Sequence, residues 1–284
     1  MEMNHIICAK KNVVRKPMII NCSDKVVNIK IPKTIEKLKQ EIIDELYDDV
    51  EEIEIQDFTK YDSAKQDILH QNDLITREVK TIGIWMSGGA DSSLLAYLLA
   101  KKIKDEELNI KLQPLSVRRG RPNNPIYAGN VVDFIESDLD VKLNDHLVYY
   151  PSQFTLKNYE KEYFWFKDTV HFSKDIIQVL YSGITCNPPV DDDSIPKNKE
   201  RDRDETVKNK PIETKNPLKH FYNPFFNINK KDLKTIYDRF NLTDKLFPLT
   251  FSCEGEAEVT KTHTQHCEKC WWCQERFWAF GRYV

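Results

Sequence analysis

The segment 79–104 constrains the fold more than any other part of the chain, because an apolar run there leads through a glycine-containing loop into a helical pattern. Residues 79–86 are typical of a buried strand, and the Leu and Ala residues over 92–104 predict a helix. The loop between them reads Ser87-Gly88-Gly89-Ala90-Asp91-Ser92-Ser93. A strand that passes through two glycines into a helix is typical of a parallel α/β sheet.

The alternation of strand and helix continues beyond this segment. Further strands are predicted at 110–117, 146–150 and 176–185, and helices at 127–137, 158–174, 274–283 and from the N-cap Asn229 to about residue 240. The pattern predicts an α/β fold, a doubly wound parallel sheet with helices on both faces. We expect the ligand site at the carboxyl ends of the strands.

Four regions are expected along the chain. Residues 1–60 form a small α+β module, with short strands at 5–9, 18–21, 26–31 and 52–55 and a helix at 34–47. Residues 61–78 are a polar linker, 79–250 the sheet domain and 251–284 a cysteine-rich element. An insertion at 191–217 has eight acidic and seven basic residues, so we expect it to be solvated or disordered.

Charge and hydropathy argue against two classes of function. In 284 residues, 42 basic side chains face 45 acidic ones, which is unlike a protein that coats nucleic acid. No stretch approaches the length of about 18 apolar residues that a membrane-spanning helix needs, and the first residues lack the apolar core of a secretory signal. We therefore expect a cytoplasmic protein with no membrane partner.

The glycine loop has the chemistry of a polyphosphate site. Two glycines allow close backbone approach, and the N–H groups at a helix N-terminus stabilise an anion. The hydroxyls of Ser87, Ser92 and Ser93 add donors, and Asp91 is suited to hold Mg²⁺. An ordinary Gly-Gly turn capped by Ser or Asp is the alternative interpretation.

Four of the seven cysteines lie together near the end of the sequence, at Cys253, Cys267, Cys270 and Cys273. Four thiolates are the number that a tetrahedral structural Zn²⁺ takes. An iron–sulfur cluster, a redox pair, plain buried thiols, and ligation by His263 or His266 remain open. The scattered Cys8, Cys22 and Cys186 are expected to be free thiols.

The two motifs together resemble known enzymes. The string Ser87-Gly88-Gly89-Ala90-Asp91-Ser92 matches the PP-loop, or N-type, ATP pyrophosphatases, of the adenine nucleotide alpha hydrolase-like fold. Ser252-Cys253, the three later cysteines and the aromatic helix with Arg276 resemble the 7-cyano-7-deazaguanine synthase family of queuosine biosynthesis. The resemblance implies a divergent member that cleaves ATP to AMP and pyrophosphate and carries a structural zinc.

The sequence departs from that family at two places beside the expected site. The segment after the second strand contains Arg118, Arg119 and Arg121, which are suited to phosphate or carboxylate. The loop after the fourth strand contains Gly183 and Asn187, which could line a pocket. A solvated basic turn and an ordinary loop are the respective alternatives. Three tryptophans, at 271, 272 and 278, are expected to pack the C-terminal element, while His146 and His171 are expected to be structural.

The leading hypothesis is a ligase that adenylates a carboxylate, with Asp91 and Ser92 as catalytic residues and ATP, Mg²⁺ and Zn²⁺ as cofactors. Residues 87–93, Arg118 and Gly183 would bind the nucleotide. The substrate would be a small 7-deazapurine-like carboxylate, attacked by ammonia or another amine to give an amide or nitrile. Residues 1–78 would offer a surface to a protein partner, and a homodimer stays open. The alternatives are tRNA thiolation with an iron–sulfur cluster and a catalytically silent binding module.

Overall fold

The computed structural model describes residues 16–22, 24–38, 74–117, 124–149, 176–189, 192–195, 221–255 and 265–284, and every structural statement below concerns these residues. The strands are β1 (Met18–Cys22), β2 (Lys25–Ile29), β3 (Thr34–Leu38), β4 (Leu74–Glu78), β5 (Thr81–Trp85), β6 (Lys111–Val117), β7 (Leu147–Tyr149), β8 (Val179–Tyr181) and β9 (Phe221–Tyr222). The helices are α1 (Ala90–Asp105), α2 (Asn124–Leu139), α3 (Lys230–Arg239) and α4 (Trp271–Phe280), with a 3-10 turn at Phe247–Leu249.

A five-stranded parallel sheet forms the centre of the molecule. Its order is β7-β6-β5-β8-β9, and all four neighbouring pairs are parallel. The strand order therefore runs outward from β5 in both directions, as in a doubly wound sheet. This confirms the predicted α/β fold and places the reversal point between β5 and β8, where such sheets bind ligands.

Apolar side chains of the central elements form the core. Residues 82–85 of β5 are buried, and α1 buries a nearly continuous set of Leu and Ala side chains against the sheet. The four described helices pack on one face, in one cluster with β1 and β2. The helices predicted for the other face are not among the described residues, because the predicted helix at 158–174 lies outside them. The opposite face carries a second cluster around Trp85, Leu115 and Leu180. A strand buried on both faces explains why residues 82–86 contain no polar side chain.

The N-terminal region differs from its prediction. The expected helix at 34–47 is wrong over its first residues, because Thr34–Leu38 is a strand that pairs antiparallel with β4. β4 in turn lies within the residues that the sequence assigns to a linker. The apolar spacing of residues 35 and 38 resembles a helix, but strand pairing with residues 40 positions away overrides that local pattern.

The hairpin of β1 and β2 confirms two predicted strands and packs on α3. The ammonium of Lys25 donates to Asp232 Oδ2 at 2.7 Å, and Asn227 Nδ2 donates to the carbonyl of Val26 at 3.1 Å. Asp232 also closes a capping box with the N-cap Asn229, as the sequence predicts for that cap. The hairpin is therefore fixed to the helix that follows the last strand of the sheet.

The first described residues of the charged insertion contact the helices, although Asp193 and Ser194 are exposed. Ile195 is buried, and Asp192 Oδ2 accepts hydrogen bonds from Trp278 Nε1 at 2.9 Å and Lys231 Nζ at 3.2 Å. These bonds hold the pKa of Asp192 well below its ordinary value, with the Ser194 hydroxyl as the largest cause. The segment thus begins against α3 and α4.

The other predicted strands and helices of the sheet domain are present with shifted ends, whereas β9 was not predicted. The predicted elements at 5–9, 52–55 and 158–174 lie outside the described residues, as does the rest of the helix at 34–47. The division of the chain at residues 60, 78 and 250 stays a prediction. Among the described helices, none is both long and apolar enough to cross a membrane.

Candidate functional site

The predicted phosphate loop turns directly from β5 into α1. The first N–H groups of a helix have no intrahelical acceptor. In α1 the N-cap is Gly89, which has no side chain to accept from them. Ser92 Oγ lies 3.2 Å from both the nitrogen and the hydroxyl of Ser87, while Ser93 Oγ donates to the Gly89 carbonyl at 2.7 Å. Ser87 and Ser92 therefore line the opening, and the buried Ser93 fastens the turn from behind.

Gly88 is required by its conformation. Its φ is +75°, and a Cβ there would lie 2.8 Å from the carbonyl oxygen of Asn124 and 2.9 Å from Cβ of Tyr127. The loop is thus pressed against the first turn of α2. Its carbonyl accepts a hydrogen bond from the nitrogen of Phe251 at 2.7 Å, which ties the loop to the C-terminal region.

The loop after β8 approaches the first turn of α1 from the other side. A Cβ on Gly183 would lie 2.8 Å from the carbonyl carbon and oxygen of Asp91 and from the nitrogen of Ser92, so only glycine fits. Thr185 Oγ1 donates to Asp91 Oδ2 at 3.4 Å. Gly183, which the sequence predicts to line a pocket, therefore lines the cleft and lies against the backbone of the first turn of α1, at the point where the strand order reverses.

Two charged residues that the sequence analysis missed lie behind Asp91. Lys230 Nζ is 3.5 Å from Asp91 Oδ1 and 3.2 Å from Glu275 Oε2. The side chains of Lys230 and Glu275 are 5% and 0% exposed. No local signal marks them, since they begin one helix and occupy the middle of another, and only the packing of α3 on α4 brings them together.

Arg276 fixes the turn that carries Ser252 to the phosphate loop. Its guanidinium donates to the carbonyls of Phe247 and Thr250 and to the hydroxyls of Thr250 and Ser252, and its Nε donates to the Tyr283 carbonyl at 2.7 Å. The guanidinium also stacks 3.7 Å from the Phe247 ring centre. Burial lowers its pKa to about 10, so it stays charged near neutral pH. The family pattern includes this arginine, but the sequence alone does not indicate its role.

The four predicted ligands come together in one cluster. The sulfur atoms of Cys253, Cys267, Cys270 and Cys273 all lie within 4.8 Å of one another. Two of the pairs, Cys267–Cys273 and Cys270–Cys253, are 3.9 Å and 4.0 Å apart. Thiolates bound to one Zn²⁺ at about 2.3 Å in a tetrahedron lie about 3.8 Å from each other. The donor set therefore fits a single metal ion.

Backbone groups support this cluster. The nitrogens of Gly255 and Cys267 both donate to Cys253 Sγ at 3.3 Å. A Cβ on Gly255 would lie 2.5 Å from Cys267 Sγ, so glycine is needed where the chain wraps the sulfurs. Hydrogen bonds from the Cys270 and Cys273 thiols lower the pKa of Cys253, and the bond to Cys253 raises the pKa of Cys270 to about 11. The backbone donors and the close approach of Gly255 therefore hold the four sulfurs together.

One cleft of about 210 Å³ joins these parts. The phosphate loop, the β8 loop, Lys230 and the cysteine element all contribute to its wall. The lining residues are Trp85, Ser87, Gly89, Ala90, Asp91, Ser92, Asn124, Ser182, Gly183, Ile184, Thr185, Lys230, Phe251, Ser252, Cys253, Glu254 and Trp272. Two motifs that are far apart in sequence therefore border the same space.

Some of the remaining candidate residues lie outside the described part of the chain, and others lie away from the cleft. Arg118, Arg119, Arg121, His171, His263 and Cys8 lie outside the described residues. Cys22 and Cys186 form no disulfide among the described residues, and Asn187 does not line the cleft. Of the three tryptophans, Trp271 is buried, Trp278 binds Asp192 and Trp272 faces the cleft.

Neither of the two candidate histidines within the described residues lines the cleft. His146 Nε2 lies 2.7 Å from Ser116 Oγ, and burial lowers its pKa. His266 packs between the rings of Phe251 and Tyr283, and burial lowers its pKa to about 4. Both rings are therefore neutral at pH 7.

Comparison with known proteins does not identify the function, which must be inferred from the residues of the site. No protein-family model matches the chain, and no curated protein matches it. One solved structure to which it is similar is the U34-tRNA thiolase NcsA from Methanococcus maripaludis with its 4Fe–4S cluster, at 15% identity and a TM-score of 0.37. The match covers 65% of this chain and spans 65% of the length of that thiolase.

Proposed function

We propose that this chain is an ATP-dependent enzyme of the PP-loop class that adenylates a carboxylate on a small 7-deazapurine-like heterocycle. The observation that carries the proposal is the single cleft bordered by both Ser87–Ser93 and the four-cysteine element. An anion site and an aromatic wall within one cleft suit a nucleotide and a ring-shaped acceptor together. The resemblance of both motifs to 7-cyano-7-deazaguanine synthases supports the same substrate class.

The phosphate loop would hold the departing pyrophosphate. A carboxylate oxygen of the acceptor attacks the α-phosphorus of ATP, the bond to the bridging oxygen breaks, and pyrophosphate leaves with both electrons. The first-turn N–H groups of α1 and the hydroxyls of Ser87 and Ser92 are positioned to stabilise this charge. Mg²⁺, when bound at Asp91, would neutralise the phosphates.

The second step replaces AMP by nitrogen. Ammonia or another amine attacks the acyl carbon of the adenylate, AMP leaves, and an amide forms. Activation of the amide oxygen by a second ATP would lead to a nitrile. The acceptor ring would lie toward Phe251, Ile184 and Trp272, the apolar part of the wall beyond the phosphate loop.

The cysteine cluster would bind one structural Zn²⁺. The sulfur separations support a single ion over a 4Fe–4S cluster, in which each thiolate binds a different iron and the sulfurs stand further apart. All four ligands come from the protein, so no position is open for a catalytic water. The metal would shape the cleft through Cys253, which also lines it.

The test is an incubation with ATP, Mg²⁺, ammonium and a panel of 7-deazapurine carboxylates, followed for AMP and pyrophosphate. We expect carboxylate-dependent AMP formation by the wild-type protein and its loss in Asp91→Ala. Metal analysis of aerobically purified, colourless protein should give about one zinc per chain. A brown protein with iron and sulfide would favour the thiolation alternative instead. AMP formation equal in both proteins would contradict an enzymatic role for this cleft.

A further inference from the structure

Lys230 is a buried cation at the cleft that the chemistry above leaves without a role. It is the first residue of α3, and its side chain is 5% exposed yet lines the cleft. A helix N-terminus disfavours a cation, and removing an ammonium from water is costly. Its position is therefore held by specific anions.

The two carboxylates around Lys230 differ in their burial and in their distance from its ammonium group. Glu275 is wholly buried in α4, with Oε2 at 3.2 Å from the ammonium. Asp91 is 21% exposed at the cleft, and its Oδ1 lies further away, at 3.5 Å, without a hydrogen-bond partner among the described residues. Glu275 thus fixes Lys230, while Asp91 is the partner that can turn toward another cation.

We propose that Lys230 is a phosphate-binding residue of the cleft and that Glu275 is the positioning residue that holds it there. An ammonium has three donors, and Glu275 takes one of them. When Asp91 turns to the Mg²⁺ that accompanies a polyphosphate, the donors it leaves are directed at a phosphate oxygen. This inference rests on the proposed function, and it names Lys230 as a further contact of the pyrophosphate group.

The test measures binding of Mg²⁺–pyrophosphate and Mg²⁺–ATP by calorimetry at fixed ionic strength. Lys230→Met should weaken pyrophosphate binding by about 10- to 100-fold, the value of a hydrogen bond to a charged group. Lys231→Met is the matched control: the neighbouring Lys231 is 49% exposed and pairs with Asp192 away from the cleft lining. It should change binding by less than about twofold, as for exposed charges.

Glu275→Gln separates positioning from general stability. We expect weaker pyrophosphate binding with unchanged metal content, and a higher KM for ATP with a smaller change in kcat. If Lys230→Met does not fold because Glu275 is left unpaired, the double variant Lys230→Met/Glu275→Gln removes both charges and takes its place.

The outcomes distinguish this inference from the proposed function. Wild-type protein that binds neither ligand would overturn both. Wild-type protein that binds, together with Lys230→Met or the double variant binding equally well, would overturn the role of Lys230 and leave the proposed function intact. Weakening by Lys231→Met equal to that of Lys230→Met would also overturn it, since the effect would then be one of net charge.

Discussion

The phosphate loop and the cysteine element border one cleft, but they are built in different ways. The loop is local: seven consecutive residues at a strand–helix junction, shaped by Gly88 at a φ of +75° and by the open N-terminus of α1. The cysteine element is assembled from Cys253 and residues 267–273, with its sulfurs held together by backbone donors. The loop therefore depends on its backbone conformation, whereas a site assembled from thiolates depends on a bound metal for stability.

Two connections make the regions interdependent. Phe251 donates its N–H to Gly88, and the same turn is held by Arg276 of α4. The pair Glu275–Lys230 reaches Asp91 by a second route. The cysteine element therefore supports the phosphate loop from behind, and damage to it is expected to reach that loop.

The largest effect is expected from Cys273→Ser, which removes a buried ligand of the cluster. The free energy of metal binding contributes to folding, so we expect loss of the metal and at least about 3 kcal/mol of stability. Metal analysis and chemical unfolding measure both. The control, Cys186→Ser, changes a cysteine outside the four-sulfur cluster and should cost less than about 1 kcal/mol with full metal content. Full metal content in Cys273→Ser would show that the cluster is not the metal site.

The next effect is expected from Gly88→Ala, which acts on the local motif alone. Positive φ and the contact with Asn124 and Tyr127 should cost about 1–3 kcal/mol and abolish carboxylate-dependent AMP formation, while the metal content stays unchanged. Gly129→Ala is the control, because nothing lies within 4 Å of a Cβ in that position of α2. It should raise stability by about 0.5–1 kcal/mol. Normal activity in Gly88→Ala would contradict the assignment of the loop.

A smaller effect on both regions is expected from Arg276→Lys. A lysine keeps the charge but cannot reach the acceptors at Phe247, Thr250 and Ser252 together, so the turn should loosen. We expect a loss of about 1–3 kcal/mol together with weaker ATP binding. Arg282→Lys, a change of an exposed arginine, is the control. If the phosphate loop and the cysteine element were independent, Arg276→Lys would bind ATP as tightly as the wild-type protein does.

The smallest effect concerns His146, which lies away from the cleft. Burial lowers its pKa below the ordinary value of about 6.5, so the unfolded chain binds the proton more readily. Its contribution to stability is therefore present above about pH 6.5 and is lost as the pH falls below that value. His146→Gln should show a smaller loss of unfolding free energy between pH 7.5 and 5.5 than the wild-type protein. An identical loss in both would contradict the assignment.

The sequence predicted the parts of the structure that depend on residues close together in the chain. The strand at 79–86, the helix after Asn229 and the four sulfur ligands were found by period, capping and spacing, and all are present. The strand at Thr34–Leu38 was missed because its partner lies in β4, about 40 residues later. The pair Lys230–Glu275 was missed for the same reason, since each residue alone is an ordinary charge on a helix.

The most direct test of the central claim is the identity of the products of ATP cleavage. With a 7-deazapurine carboxylate present, wild-type protein should form AMP and pyrophosphate in equal amounts and exchange labelled pyrophosphate into ATP, and Asp91→Ala should do neither. Release of ADP and inorganic phosphate, or ATP cleavage that is indifferent to every carboxylate offered, would contradict the proposal that the cleft adenylates its substrate.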